Sequence, residues 1–250
     1  MNALLAGKYI AITRPAEQAK KLADLITNAG GTPILFPLIE ITPLADYTLF
    51  DATLNQIEHV DWAIFISSNA VQNSMPRFVK RGIPATVNFA AIGPVTAAEL
   101  KEFGVAQVFT PQSRFDSEAL LELPEMRNME GKKVMIFRGV GGREILAESL
   151  IQRGATVNFA ECYQRTNPQK NCQVLHSFWN EKKLHGIVVT SSEAMRHLLD
   201  LARDSEWLKN TPIFVNHARV AEQALRQNLQ VHVALTGGDE AMFKKLTTTL

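Results

Sequence analysis

The sequence predicts an α/β protein of two similar domains, each a parallel sheet flanked by helices. Three observations predict it. Short apolar runs alternate with amphipathic stretches, the second half of the chain repeats the pattern of the first, and a proline-terminated segment follows the second strand of each half.

The elements follow in order. Lys8 to Thr13 is an apolar, β-branched run and reads as a buried strand. Pro15 suits a helix first turn, Leu22, Leu25, Ile26 and Ala29 form an apolar stripe, and Gly30-Gly31 ends it. Ile34 to Phe36 is the next strand, followed by strands at Trp62 to Ile66 and Val87 to Ile92, with helices near Asn69 to Arg81 and Pro94 to Phe103. The second half places strands near Val134 to Phe137, Thr156 to Phe159, Ile187 to Thr190, Ile213 to Val215 and Val231 to Ala234.

The repeat has one register. GKYIAITR from Gly7 matches GKKVMIFR from Gly131, an offset of 124 residues. At that offset Gly30-Gly31-Thr32-Pro33 meets Gly154-Ala155-Thr156-Val157, and Ile64 to Ser68 meets Val188 to Ser192. Asp116-Ser117-Glu118-Ala119 resembles Gly238-Asp239-Glu240-Ala241 at a slightly shorter offset. Phe36 to Pro43 and Glu161 to Pro168 occupy equivalent places and read as hinges. If both are crossovers, each domain takes its opening βαβ piece from one half and its remainder from the other. The expected domains are 1–36 with 168–250, and 42–161, with linker strands at 37–41 and 162–167.

Composition excludes several classes. The 250 residues are 46% hydrophobic and 20% charged, too apolar for a disordered chain. No stretch approaches the roughly 20 continuous apolar residues of a membrane span. The start, MNALLAGKYIAITRP, lacks the pattern of a secretory signal, and two cysteines, Cys162 and Cys172, make no disulfide framework. The expected compartment is the reducing cytoplasm. With 26 basic and 25 acidic residues there is no general field for nucleic acid or a membrane surface. Nothing in the sequence argues against a monomer.

Ligands of parallel sheets bind beyond the strands' carboxyl ends. That rule selects Thr13-Arg14-Pro15, Ser67-Ser68-Asn69, Ile92-Gly93-Pro94, Arg138-Gly139, Thr190-Ser191-Ser192 and Asn216-His217. Each opens a helix, where free N–H groups favour carboxylates or phosphates; the same residue types also serve as plain N-caps. Arg14 and Arg138 share one repeat position and would supply two charged donors to an acidic ligand in a shared cleft. The stretch from Phe137 to Glu144 contains G-x-G after a strand, with Glu161 about 20 residues on, but the dinucleotide fingerprint needs a glycine where Glu144 stands. There is no Walker A, G-x-S-x-G or H-E-x-x-H motif, and the six histidines show no ligand spacing. Cys162 reads as a small apolar filler. Tyr163, in the second hinge, can pack across the linker or donate a proton into the cleft.

ITRP, AGG with PLIEI, FISSNAV, AIGPVTAAEL, SEALL, GKKVMIFRGVGGREILAESLIQRGATV, CYQR and GIVVTSSEAM occur in that order over essentially the whole chain. Together they resemble the uroporphyrinogen-III synthase family. The resemblance implies two α/β domains joined by a two-stranded linker, with the chain crossing over and back. It implies a cyclising lyase that converts hydroxymethylbilane to uroporphyrinogen III without cofactor or metal, and a possible handover from hydroxymethylbilane synthase. The substrate carries acetate and propionate groups on every ring, which suits sites built from helix starts. Tyr163 matches the family tyrosine of the second linker strand, the first choice for assisting departure of water. Thr96 matches a cleft threonine, and Thr13, Arg14, Ser67, Ser68, Asn69, Gly93, Arg138, Gly139, Ser191 and Ser192 fall in the strand-end segments expected to bind substrate. The family's glycine and threonine in the second half are replaced here by Asn216 to Val220, which leaves His217 as the contact there. A non-catalytic two-domain receptor for a small anion, or a nucleotide-dependent enzyme, would share the fold physics.

Overall fold

The computed structural model describes residues 3–142, 144–235 and 238–250. The chain divides into two compact units, Met1–Glu40 with Thr166–Leu250, and Ile41–Arg165. The first opens with β1 (Tyr9–Ile12), α1 (Ala16–Asn28) and β2 (Thr32–Leu35). β3 (Glu40–Thr42) leads into the second, which contains α2 (Thr48–Leu54), β4 (Trp62–Phe65), α3 (Ser68–Phe78), β5 (Asn88–Ala91), α4 (Pro94–Glu102), β6 (Val108–Phe109), α5 (Ser117–Leu121), β7 (Lys133–Gly139), α6 (Ile145–Gln152) and β8 (Thr156–Thr166). The first unit resumes with α7 (Gln173–Asn180), β9 (Leu184–Val189), α8 (Ser192–Ala202), α9 (Glu206–Lys209), β10 (Ile213–Val215), α10 (Ala218–Leu225), β11 (Val231–Val233) and α11 (Asp239–Thr249).

The sheet of the first unit runs β11-β10-β9-β1-β2, all parallel. That of the second runs β3-β8-β7-β4-β5-β6, parallel from β8 to β6. Reversed, β6-β5-β4-β7-β8 is the order of the first sheet with the halves of the repeat exchanged. The chain crosses over and back, and each sheet closes at its centre by pairing a strand of one half with a strand of the other.

Local sequence explains the elements. α1 buries Ala19, Leu22 and Ile26 on one stripe and carries Glu17 in its first turn, where an acid suits the helix dipole. Gly30, at φ +82°, turns the chain out of it, and a Cβ on Gly31 would lie 2.8 Å from Ile26 Cγ2. In the second sheet the burial period is two: Ala63, Phe65, Met135 and Phe137 pack on one face with α3 residues Val71, Met75 and Phe78, and Trp62, Ile64, Val134 and Ile136 pack on the other with Leu146 and Leu150 of α6.

One element differs from the sequence reading. The strand expected to stop at Phe159 continues as β8 to Thr166, so residues 162–165 of the presumed linker are part of the second unit. Its pairing with β7 breaks register between Arg138 and Gly139: Arg138 faces Glu161, whereas Gly139 faces Tyr163, leaving Cys162 as the extra residue of a bulge. The bulge lets the consecutive residues Cys162 and Tyr163 both enter the core that contains Phe65 and Phe137, which strict alternation would forbid.

Phe137 is fully buried, stacked on Phe65 at 4.3 Å between ring centroids, with Phe50 and Phe78 at its edges. Phe137→Ala is expected to cost about 3–5 kcal/mol of unfolding free energy, measured by denaturant titration, because the cavity lies in the sheet's centre.

Candidate functional site

The second unit gathers several of the sequence-selected residues around the carboxyl ends of β4, β5 and β7. Ser67 caps α3, its Oγ accepting the Ala70 N–H at 3.1 Å. The Tyr163 hydroxyl lies 3.3 Å from that same Oγ. Tyr163 is only 3% exposed, so its phenol is fixed by packing with the oxygen at a helix N-terminus. It is therefore a core side chain of β8. Gly139 lies beneath the ring: a Cβ there would be 2.6 Å from Tyr163 Cε2 and 2.7 Å from Cζ. Ser68 and Asn69 form the half-buried first turn of α3. Gly93 caps α4, with Pro94 at its first position, and its α-carbon faces Phe115, whose Cβ would be 3.1 Å from an added methyl. Thr96 sits in the first turn of α4, 4% exposed, and its hydroxyl takes no partner among the described residues.

The glycine-containing loop after β7 is organised by two residues the sequence reading did not assign to a site, Glu161 and Arg165. Glu161 accepts the Gly141 N–H at 3.0 Å on Oε1. That oxygen is 3.9 Å from Nε of Arg138. Arg138 is 2% exposed, its Nε donates to the Gly139 carbonyl at 3.2 Å, and its guanidinium lies 4.4 Å from the centroid of Phe159. At Gly142 an added Cβ would stand 3.2 Å from Nη2 of both Arg138 and Arg165, so the two guanidinium ends converge on this glycine. The acidic residue 20 positions after the G-x-G is thus folded onto the loop itself, where a dinucleotide would need those N–H groups. The sequence signal for Glu161 was its spacing; its role depended on a strand register visible only in three dimensions. Arg143, within the same stretch, lies outside the described residues.

In the first unit the equivalent positions are arranged differently. The N–H and hydroxyl of Thr13 both donate to the Val188 carbonyl, at 3.1 and 2.9 Å, so this buried residue offers a ligand no donor proton and serves the β1–β9 junction. Arg14 donates from Nε to Thr190 Oγ1 at 3.1 Å and pairs through Nη1 with Asp239 at the start of α11. Ser191 caps α8 by accepting the Ala194 N–H at 3.1 Å, matching Ser67, and Ser192 follows in the first turn. His217 caps α10, its Nδ1 accepting the Arg219 N–H at 3.1 Å. That bond fixes Nε2 as the protonated nitrogen of the neutral ring and leaves it as a donor.

Burial disfavours the thiolate of both cysteines. Burial pushes the Cys162 thiol up to about 12 and that of Cys172 to about 11. Among the described residues no three His, Cys, Asp or Glu side chains group as a metal site, and no helix is long and apolar enough to cross a membrane.

Two α/β units with exchanged segments, each with helix caps and an arginine at its strand ends, define a two-unit α/β protein. Residues 20–244 match the family model described as uroporphyrinogen-III synthase HemD. Uroporphyrinogen-III synthase of Escherichia coli is 31% identical over 243 residues, covering 95% of this chain and 99% of the relative. Two solved structures share the fold. One is a mutant uroporphyrinogen III synthase from the extremely thermophilic bacterium Thermus thermophilus, with TM-score 0.67 and 16% identity over 96% of this chain and 98% of that one. The other is uroporphyrinogen-III synthetase from Helicobacter pylori, with TM-score 0.61 and 15% identity over 97% and 100%. The chain belongs to the uroporphyrinogen-III synthase family.

Two outcomes are expected. At pH 8 an aromatic disulfide reagent should label neither cysteine of the native protein on the timescale that labels both after unfolding, because thiolate is scarce at such raised pKa values. Gly139→Ala should push the Tyr163 ring off Ser67, lowering stability by about 1–3 kcal/mol in a denaturant titration and lowering turnover with it.

Proposed function

We propose that the chain cyclises hydroxymethylbilane to uroporphyrinogen III, inverting the terminal pyrrole ring and releasing one water. The observation that carries this reading is the family match, which extends over nearly the whole chain at an identity that includes both units. A polycarboxylate substrate also fits strand ends lined with helix N-termini and arginines.

The chemistry begins with departure of the hydroxyl of the hydroxymethyl group as water, leaving an azafulvene cation. The substituted carbon of the terminal ring attacks it to form a spiro intermediate. Fragmentation and re-closure, with loss of one proton, leave that ring inverted. No net oxidation occurs, and cyclisation without inversion, to the type I isomer, is the spontaneous course. The protein's work is therefore geometric: it holds the bilane so that the substituted carbon reaches the azafulvene first.

The buried phenol of Tyr163 is the candidate acid for the departing hydroxyl, held on β8 by packing with its oxygen at the N-terminus of α3. Thr96, Ser68, Asn69 and Gly93, at the starts of α3 and α4, are candidate hydroxyl, amide and N–H contacts. Arg138 and Gly139 in one unit, and Arg14, Ser191, Ser192 and His217 in the other, are candidate contacts for the acetate and propionate groups; Thr13 supports Arg14 from the sheet. We place the reaction in the cytoplasm, on a monomer. Because hydroxymethylbilane closes spontaneously, direct receipt from hydroxymethylbilane synthase would shorten its exposure.

The test is an isomer assay. Purified protein given freshly generated hydroxymethylbilane should yield, after oxidation, uroporphyrin III in proportion to enzyme; type I alone, matching the control without enzyme, overturns the reading in favour of a binding protein. Tyr163→Phe should lower kcat about 10- to 100-fold with an unchanged far-ultraviolet spectrum, since the ring still fills its place in the core. Wild-type turnover in that variant removes the phenol from the mechanism.

A further inference from the structure

The starts of α3 and α4 stand side by side. β4 and β5 pair with Phe65 opposite Ala91, and two residues beyond each, Ser67 and Gly93 cap their helices. Neighbouring strands are about 5 Å apart where they pair, so the two caps are one strand spacing from each other. The Tyr163 hydroxyl lies at the first cap. The ring of Phe115 lies over the second: a Cβ on Gly93 would be 3.3 Å from Phe115 Cγ and 3.5 Å from Cδ1. Phe115 is nonetheless 52% exposed, and among the described residues its ring pairs with no other ring and with no cation. The residues beside it are held in place. Asp116 caps α5 by accepting the Ala119 N–H at 2.8 Å, and Arg114 pairs with Asp116 and Glu122 at 2.9 and 2.8 Å, which matches its charge. Val95, Val140 and Ile145 are exposed at the same end of the sheet, so apolar side chains stand among its helix starts.

We propose that Phe115 is a catalytic residue whose exposed face stabilises the azafulvene cation, an inference that rests on the synthase reading of this site. When the C–O bond of the hydroxymethyl group breaks, the bonding pair leaves with the oxygen, which takes a proton and departs as water. The positive charge left behind is shared between the methylene carbon and the pyrrole nitrogen. Helix N-termini suited to the substrate's carboxylates raise the potential at the place where that charge develops. A protein carboxylate would offset it, but it would also repel the acidic groups of the bilane and capture the azafulvene by bonding to its methylene carbon. An aromatic face does neither: its quadrupole attracts a cation, and it forms no bond with it. Phe115 stands one strand spacing from the candidate acid, so a pyrrole ring laid on it brings its exocyclic oxygen towards Tyr163. Gly93 then keeps the ring in place, since any side chain there would push it away.

The test is single-turnover formation of the type III isomer from freshly generated hydroxymethylbilane, with the whole chain in excess so that product release does not limit the rate. Phe115→Leu keeps an apolar side chain before α5 but has no π face. Its rate constant should fall about tenfold, while the protein concentration giving half the maximal rate changes less than about twofold. The thermal midpoint should stay at the wild-type value, because the side chain is half exposed. Phe115→Tyr, which restores an aromatic face, should recover most of the rate. Mono-, di- and trifluorinated phenylalanine in place of Phe115 weaken the negative face in steps at nearly constant shape, and the logarithm of the rate constant should fall with each step. A wild-type rate in Phe115→Leu overturns the proposal. A lowered rate in Phe115→Leu with no response to fluorination also overturns it and leaves Phe115 a packing role. In either case type III formation by the unaltered protein keeps the synthase reading standing. An unaltered protein that forms no type III isomer overturns that reading, and the role of Phe115 falls with it.

Discussion

Everything in this molecule depends on two parallel strand pairings between distant parts of the chain. In the first unit β1 lies on β9, with Ile12 opposite Val188; in the second β4 lies on β7, with Phe65 opposite Phe137. Each joins a strand from one half of the repeat to a strand from the other. Parallel pairing brings the carboxyl ends of both strands to one edge, and the following helices start there. Arg14 meets Thr190 because β1 and β9 end together, and Tyr163 reaches Ser67 because β8 runs beside β7 to Gly139, just past the end of β4. The entropic cost of closing such long loops grows only logarithmically with length, and the apolar faces of both sheets offset it. The slow step in forming the sites should accordingly be strand pairing rather than helix formation.

The pattern of strands, helices and repeat was legible because it is written in local periodicity and in residues with strong backbone preferences. Lys8 to Thr13, Trp62 to Ile66 and Ile187 to Thr190 read as buried strands and are so, apart from shifts of a few residues at the ends. The cap serines were legible for the same reason: Ser67 and Ser191 accept the N–H three residues on, as their type and position imply. What did not show was register. The bulge at Cys162 leaves no sequence mark, since Glu161, Cys162 and Tyr163 form an ordinary alternation until the β7 partner shifts. Without that shift Tyr163 would point from the opposite face of the sheet. Glu161 and Asp239 were missed as partners of the two arginines because charge pairing across elements is set by tertiary geometry, not by spacing.

The glycines of the second unit's site are explained by neighbours rather than by turns alone. Gly139 is a strand residue whose hydrogen makes room for the Tyr163 ring, and Gly93 is a cap whose hydrogen makes room for Phe115. In both places a side chain would move an aromatic group that shapes the surroundings of a helix start. The G-x-G signal that suggested a dinucleotide loop thus has a packing cause at its first glycine, and a hydrogen bond from the N–H of its second to Glu161.

The repeat has diverged most where it matters for charge. Arg14 and Arg138 occupy one position of the duplicated pattern, yet Arg14 is in direct contact with Asp239, whereas Arg138 keeps its carboxylate at 3.9 Å and is the more deeply buried of the two. A direct ion pair at the start of α11 satisfies the arginine and places a negative charge where the helix dipole welcomes it. The looser pair on the glycine loop does neither as well, and its guanidinium retains more of its field. Two copies of one βαβ unit thereby acquire different electrostatics without a change of fold: one arginine serves the docking of α11 in its own unit, and the other lies buried at the end of β7. The difference comes from the partners each arginine meets, which depend on the strands and helices that surround it in its own unit.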